Sequence, residues 1–171
     1  ELASSAAEDP LLTTAGPILT RLRDITGESA QLFRRQGDFR ICSATVERPS
    51  GLRDTVPLGA QLSMTAGSAA QVLLAWEEPE NLPRLLKEAT FTMLSLQQVR
   101  RRGWAQSVAE REPGVASVSA PVLSPSGKII AAVSVSGPIE RLTRQPGRLH
   151  APAVMAAAER LSEVLRRNGT E

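Results

Sequence analysis

Tyrosine is absent from this sequence, and aromatic residues make up only 3% of it. So few rings cannot build a stacking platform for nucleobases. The core must instead come from Leu, Val, Ile and Ala, within a hydrophobic content of 42%. A single cysteine, Cys42, excludes an intramolecular disulfide and a multi-cysteine zinc site. It sits in a strand-like run and reads as an inert buried thiol. Charge of one sign is also lacking: Lys+Arg is 20 against 18 Asp+Glu, a net +2. The one dense basic run, Arg100, Arg101 and Arg102, fits the last turn of a helix ending at Gly103, where cations suit the helix dipole. No apolar run approaches the roughly 20 residues of a membrane span, and no signal peptide is visible. No membrane partner is expected, and the cytoplasm is the default location.

Catalytic groupings are scarce too. The only histidine, His150, is expected at the surface near the start of the last helix, without the partners a triad needs. Gly67-Ser68-Ala69 lacks the second glycine of a nucleophile elbow. There is no phosphate-binding glycine loop, and no carboxylate spacing supports a metal. Neither enzymatic chemistry nor a cofactor is expected. A serine hydrolase working without histidine is the weakest of the functional alternatives.

The length of 171 residues suits one domain. Residues 1–10 read as a linker or frayed terminus and 11–171 as the domain. Helical spacing of Ile18, Leu19, Leu22 and Ile25 predicts a helix that starts at Pro17 and ends near Gly27. Residues 29–35 and 39–47 read as strands joined by a turn at Gln36-Gly37-Asp38. Three short helices follow, over 68–76 with Thr65 or Ser68 as N-cap, over 82–89, and over 95–102 with Ser95 as N-cap. A short strand at 104–108 precedes a hairpin of 115–123 and 128–136. A helix from Pro152 to Arg167 ends at Asn168-Gly169. Strands arriving in hairpins rather than alternating with helices argue for an α+β domain with an antiparallel sheet.

The last hairpin is the most informative element. With Ser124 to Gly127 as its loop, Leu123 pairs with Lys128, Ser119 faces Ala132, and Ser117 faces Ser134. Alternation then places Val118, Ala120, Val122, Ile129, Ala131, Val133 and Val135 on one face, the core face. Ser117, Ser119, Ser134 and Ser136 share the other. That serine face can be a pocket wall, a seat for a closely packed helix, or a solvent-exposed surface. Small hydroxyls on a pocket wall can donate to a carboxylate or carbonyl.

The run Arg100-Arg101-Arg102-Gly103-Trp104-Ala105, then Val118-Ser119-Ala120-Pro121-Val122, then Ala131-Ala132-Val133-Ser134-Val135-Ser136-Gly137-Pro138, resembles the effector-binding domain of IclR-type transcriptional regulators. The segment from Leu58 to Ala75 is similar to that family's L-P-L-H-A-T-A-x-G-K-A-x-L-A stretch, so the likeness covers nearly the whole chain. The resemblance implies a GAF-like or profilin-like fold, a curved antiparallel sheet with flanking helices around a pocket. It implies a small organic or aromatic acid as effector, a homodimer or tetramer, and operator DNA contact through an N-terminal winged helix-turn-helix, which the residues before Leu11 leave no room for. By motif position it places Ser134 and Ser136 in the pocket and puts Ser68 and Ala69 where helix-start amides hold a carboxylate. It also places Ser117 where many relatives have cysteine, and Ser107 near an acidic pocket position. Ser63 to Ala66 departs from the histidine-containing stretch, Ala70-Gln71 stands in place of Gly-Lys, and no acid stands at Ser107. A serine-rich, uncharged pocket for an anionic or neutral effector is therefore expected. The alternative is a GAF-like protein-interaction module without a small-molecule effector.

Overall fold

A computed structural model describes residues 9–169 of the chain. Helix α1 (Pro10–Thr26) leads into strands β1 (Ser29–Gln36), β2 (Phe39–Val46) and β3 (Gln61–Ser63). Helices α2 (Ser68–Leu74), α3 (Leu82–Leu86) and α4 (Met93–Arg102) follow, with a 3-10 turn, Pro79–Asn81, before α3. Strands β4 (Ala105–Val108), β5 (Val115–Leu123) and β6 (Ile129–Pro138) precede α5 (Ile139–Leu142) and α6 (Pro146–Arg167). The strands form one sheet in the order β3-β2-β1-β6-β5-β4, and every pairing is antiparallel. The α+β class with a curved antiparallel sheet and flanking helices is thus the observed one.

Each face of the sheet carries its own core. On one face, α1 through Leu11, Ala15, Leu19 and Leu22 and α6 through Val154, Ala158, Leu161 and Leu165 pack on Val118, Ala120, Val122, Ala131, Val133 and Val135. On the other, α2 through Val72, Leu73 and Leu74 and α4 through Leu96 and Val99 pack with Phe33, Cys42, Ala105 and Ala132. Ile129 packs toward this second core and Ile130 toward the first. The expected place of Ile129 beside Ala131 is therefore corrected. The cause is a register irregularity between Val122 and Leu123, next to the Leu123–Ile129 pair.

That irregularity also shifts the hairpin. Leu123 pairs with Ile129 rather than Lys128, and inward of it Ser119 faces Ser134 and Ser117 faces Ser136. The turn is held by Ser124 N–H donating to Lys128 O at 2.9 Å and Lys128 N–H donating to Ser124 Oγ at 3.1 Å. Inward of the irregularity, from Val122 and Ala131 on, the displacement is two residues, an even number, so those side chains keep the face that alternation gave them.

Three helix starts differ from expectation. Helix α1 begins at Pro10, where Asp9 accepts from Leu11 N–H at 3.0 Å, and it runs through Pro17. Its buried apolar face outweighs the missing proline hydrogen bond, because packing rather than propensity supplies most helical stability. Asp9 also pairs with Arg34 at 3.0 Å. Asp9 and Pro10 therefore belong to the fold, while residues 1–8 of the expected terminal segment lie outside the described residues. Helix α4 is capped by Thr92, with Ser95 closing the capping box as its third residue, not as the cap. Helix α6 starts at Pro146 and passes through Pro152, which puts His150 inside the helix, half-buried, with its pKa lowered by burial. The arginine run does close α4, before Gly103 at φ 83°, and Arg102 lies 3.7 Å over the Trp104 ring. Among the described residues no helix is long and apolar enough to cross a membrane.

Two tests follow from this packing. A Cβ on Gly137 would lie 2.5 Å from Glu28 Oε1 and 2.8 Å from Leu142 Cδ1. Arg141 fixes that carboxylate with two hydrogen bonds of 2.8 Å. Gly137→Ala should cost roughly 1–3 kcal/mol as overpacking, read by urea unfolding. Cys42 is fully buried, and burial raises its thiol to about 11. It should resist a maleimide in the native protein and react once denatured, since the thiolate is the nucleophile; native labelling would contradict this packing.

Candidate functional site

The serine face lies beneath the start of α2. Ser68 Oγ is 2.6 Å from Ser117 Oγ and 2.7 Å from Ser119 Oγ. Ser107 Oγ lies 2.8 Å from Ser117 Oγ, and Ser119 is hydrogen-bonded to Ser134. The hydroxyls therefore form one chain, Ser107–Ser117–Ser68–Ser119–Ser134. Each hydroxyl carries one proton, so this chain of five has one O–H more than its four links consume. Ser136 stands apart from it, bonded to the Gln31 side chain at 3.0 Å. Exposure of the serine face is excluded, because Ser119, Ser134 and Ser136 are 0, 2 and 4% exposed.

Between these groups lies a cavity of about 20 Å³, room for a single water. Ser68, Ala69, Ser117, Ser134 and Ser136 all line it. Ser107 does not; it reaches the lining through its bond to Ser117. The structure thus gathers the expected site residues at one place, in a tightly packed form with little free volume. No side chain caps the N-terminus of α2, and Gly67 precedes it.

The expectation of an uncharged wall does not hold. Arg40, Arg111 and Asp54 line the same cavity, with Gln31, Phe33 and Val56. Arg40 is 3% exposed. Its Nη1 donates to the carbonyls of Ser63 and Ala66, the latter at 2.8 Å, and its guanidinium lies 5.3 Å from the Phe33 ring centre. Among the described residues it makes no salt bridge, and its buried Nε has no partner. Burial lowers its pKa to about 10, the nearby Arg111 adds to this, and Glu110 opposes it; the group stays cationic at neutral pH. Arg111 pairs with the buried Asp54 carboxylate. Glu110 Oε1 accepts from Gly67 N–H at 3.2 Å and from Thr90 Oγ1 at 2.7 Å, pinning the turn before β5 to the start of α2.

Arg40 had a signal in the sequence. It alternates with Cys42 on β2 and shares its inward face, so a charge stands at a core-facing position. Asp54 and Arg111 lie in irregular connections, where periodicity carries no information. Among the described residues no cluster of His, Cys, Asp and Glu could hold a metal ion.

A six-stranded antiparallel sheet with helices on both faces is the fold of IclR-type C-terminal domains. The chain belongs to the bacterial transcriptional regulator IclR C-terminal family, whose model matches residues 3–163. It is 33% identical over 165 residues to the HTH-type transcriptional regulator BhcR of Paracoccus denitrificans, covering 89% of this chain and 59% of that protein. It is 29% identical over 146 residues to the HTH-type transcriptional repressor AllR of Escherichia coli, covering 78% of this chain and 54% of that one. The chain thus spans less than two thirds of the length of these relatives. An IclR-family regulator from Rhodococcus sp. superposes with a TM-score of 0.77 at 29% identity, over 88% of this chain and 62% of its own. An IclR regulator from Silicibacter sp. gives a TM-score of 0.84 at 25% identity, over 99% and 71%. These relatives are transcriptional regulators.

The hydroxyl chain sets an order of effects. Ser119→Ala interrupts it internally and strips a partner from both Ser68 and Ser134. It should cost about 1–3 kcal/mol, the range for leaving buried polar groups unsatisfied. Ser107→Ala removes only an end and should cost less. Equal losses in chemical denaturation would contradict a connected chain.

Proposed function

We infer that this domain senses a small organic acid in the cavity between α2 and the β5–β6 hairpin. Binding there controls subunit association, as dimer or tetramer, and through it operator binding by a winged helix-turn-helix elsewhere in the whole regulator. The observation that carries the reading is Arg40, a buried cation that lines the hydroxyl-bearing cavity and forms no salt bridge among the described residues. An isolated buried charge is costly to hold, and an effector carboxylate would complete it with a charge-assisted, two-pronged hydrogen bond. Ser134 and Ser136 supply hydroxyls beside it, Ser117 and Ser68 brace them, Ala69 leaves space at the start of α2, and Ser107 orders the chain from behind.

The test is a thermal-shift screen of short carboxylic acids against their amides. An acid at 100 times its Kd should stabilise the domain by about 2.7 kcal/mol, and the amide should not. Arg40→Met should weaken the acid roughly tenfold or more, since hydrogen bonds to charged groups contribute about 1.5–3 kcal/mol and 1.4 kcal/mol is a factor of ten. Arg40→Lys should fall between the two. If no acid shifts the transition, the domain is instead a GAF-like interaction module whose cavity holds only water.

A further inference from the structure

Arg111 reaches into the same cavity as Arg40, but its charge is already occupied. Its Nη2 is bonded to Asp54 Oδ2. The side chain of Asp54 is 5% exposed and that of Arg111 21%. They come from separate connections: Asp54 from the segment between β2 and β3, Arg111 from the turn between β4 and β5. The β2–β3 segment is tied down at both ends. Arg48 N–H donates to Ser29 Oγ at 3.0 Å, and Gly59 N–H donates to Cys42 O at 2.8 Å. Between residues 49 and 56 its hydrogen bonds to the rest of the chain are few. Cys42 Sγ contacts Val56 O at 3.8 Å, Arg141 Nη2 and Arg48 Nη1 donate to Leu52 O at 2.6 and 3.2 Å, Arg53 Nε donates to Glu47 Oε2 at 3.3 Å, and Asp54 holds Arg111.

A cavity of about 20 Å³ cannot take an acid beside its present lining, so one wall has to leave. The walls given by β1, β5, β6 and α2 are fixed by ladders and helix packing. Segment 49–56 belongs to no ladder or helix, and of its side chains only Val56 is seated in the second core. We propose that Asp54 is a built-in occupant of the anion site, a carboxylate of this chain that holds Arg111 until an effector carboxylate displaces it and unlatches segment 49–56. The proposal rests on the acid-binding reading above and adds how that site is regulated. The exchange swaps one guanidinium–carboxylate pair for another, and Asp54 regains hydration as it leaves. Effector affinity is then reduced by the fraction of molecules in which the latch is open. Removing Asp54 should therefore tighten binding, although it deletes a residue that lines the site.

The experiment uses sodium acetate as probe, against sodium chloride at equal ionic strength, with thermal shift for binding and amide hydrogen exchange over residues 49–56 for the latch. In the wild type, acetate should raise the melting temperature and yet speed exchange in 49–56. Asp54→Asn should exchange fast there without acetate and bind acetate several-fold tighter. Arg111→Gln should exchange equally fast but bind acetate more weakly. Unchanged or slowed exchange in the acetate-bound wild type would overturn the latch, and this reading needs no variant to fold. Tighter binding in Asp54→Asn without faster exchange would reduce Asp54 to a simple charge effect and overturn it as well. Acetate binding lost in Arg40→Met but unaltered in Asp54→Asn would overturn the latch and leave the acid site standing. No stabilisation of any form by acetate would overturn both.

Discussion

A helix can rest on a sheet at hydroxyl-to-hydroxyl distance only where the side chains between them are small. Here the requirement is met by Ser117, Ser119 and Ser134 on the sheet and Ser68 on the helix, with Oγ separations of 2.6 and 2.7 Å from Ser68 to Ser117 and Ser119. A larger residue at any of these positions would lift α2 away. Much else hangs on that seat. Glu110 fastens to Gly67 N–H at its edge, which fixes the turn carrying Arg111. Arg40 reaches the carbonyls of Ser63 and Ala66 just before it. The sheet gains a second covered face, and with it a second core.

The two faces divide the labour. The face under α1 and α6 carries a buried core of Ala, Val, Leu and Ile, with Trp104 packed at its edge. The face under α2 and α4 is mixed, with Phe33, Cys42 and Ala132 beside buried serines, Gln31 and a guanidinium. Burying a cation without a counter-charge works against folding. Arg40 is held in place by two carbonyl acceptors and an aromatic ring, contacts that compensate its lost hydration in part, and Glu110 nearby favours its charged form without forming a salt bridge. The local expense is what a binding site requires, and the stability has to come from the aliphatic face.

Alternation along β5 and β6 made the two faces legible before any coordinates. It placed Val118 and Val133 in the core and Ser119 and Ser134 opposite, and both assignments hold although the pairing register was displaced by two residues. The displacement was invisible because it arises from a local irregularity at Val122/Leu123, and bulges leave no trace in a polarity pattern. Helix starts were misread at Pro17 and Pro152, since proline marks a boundary by local rules and tertiary burial overrides them. Family likeness and periodicity converged on the serines. They missed the charges, because Asp54 and Arg111 sit in connections and Arg40 passes as one polar residue on a strand of mixed exposure.

The surplus proton of the serine chain has a consequence for what the cavity offers a visitor. In each link either oxygen can be the donor. If the links point toward Ser134, that residue presents an O–H to the cavity and can grip an oxygen anion. If all of them reverse, Ser134 presents lone pairs and accepts from a hydroxyl or an amine, while the free O–H moves to Ser107. The free O–H can therefore stand on any one of the five serines, with the links on either side directed toward it, and whatever enters the cavity selects an arrangement by its own hydrogen-bonding character.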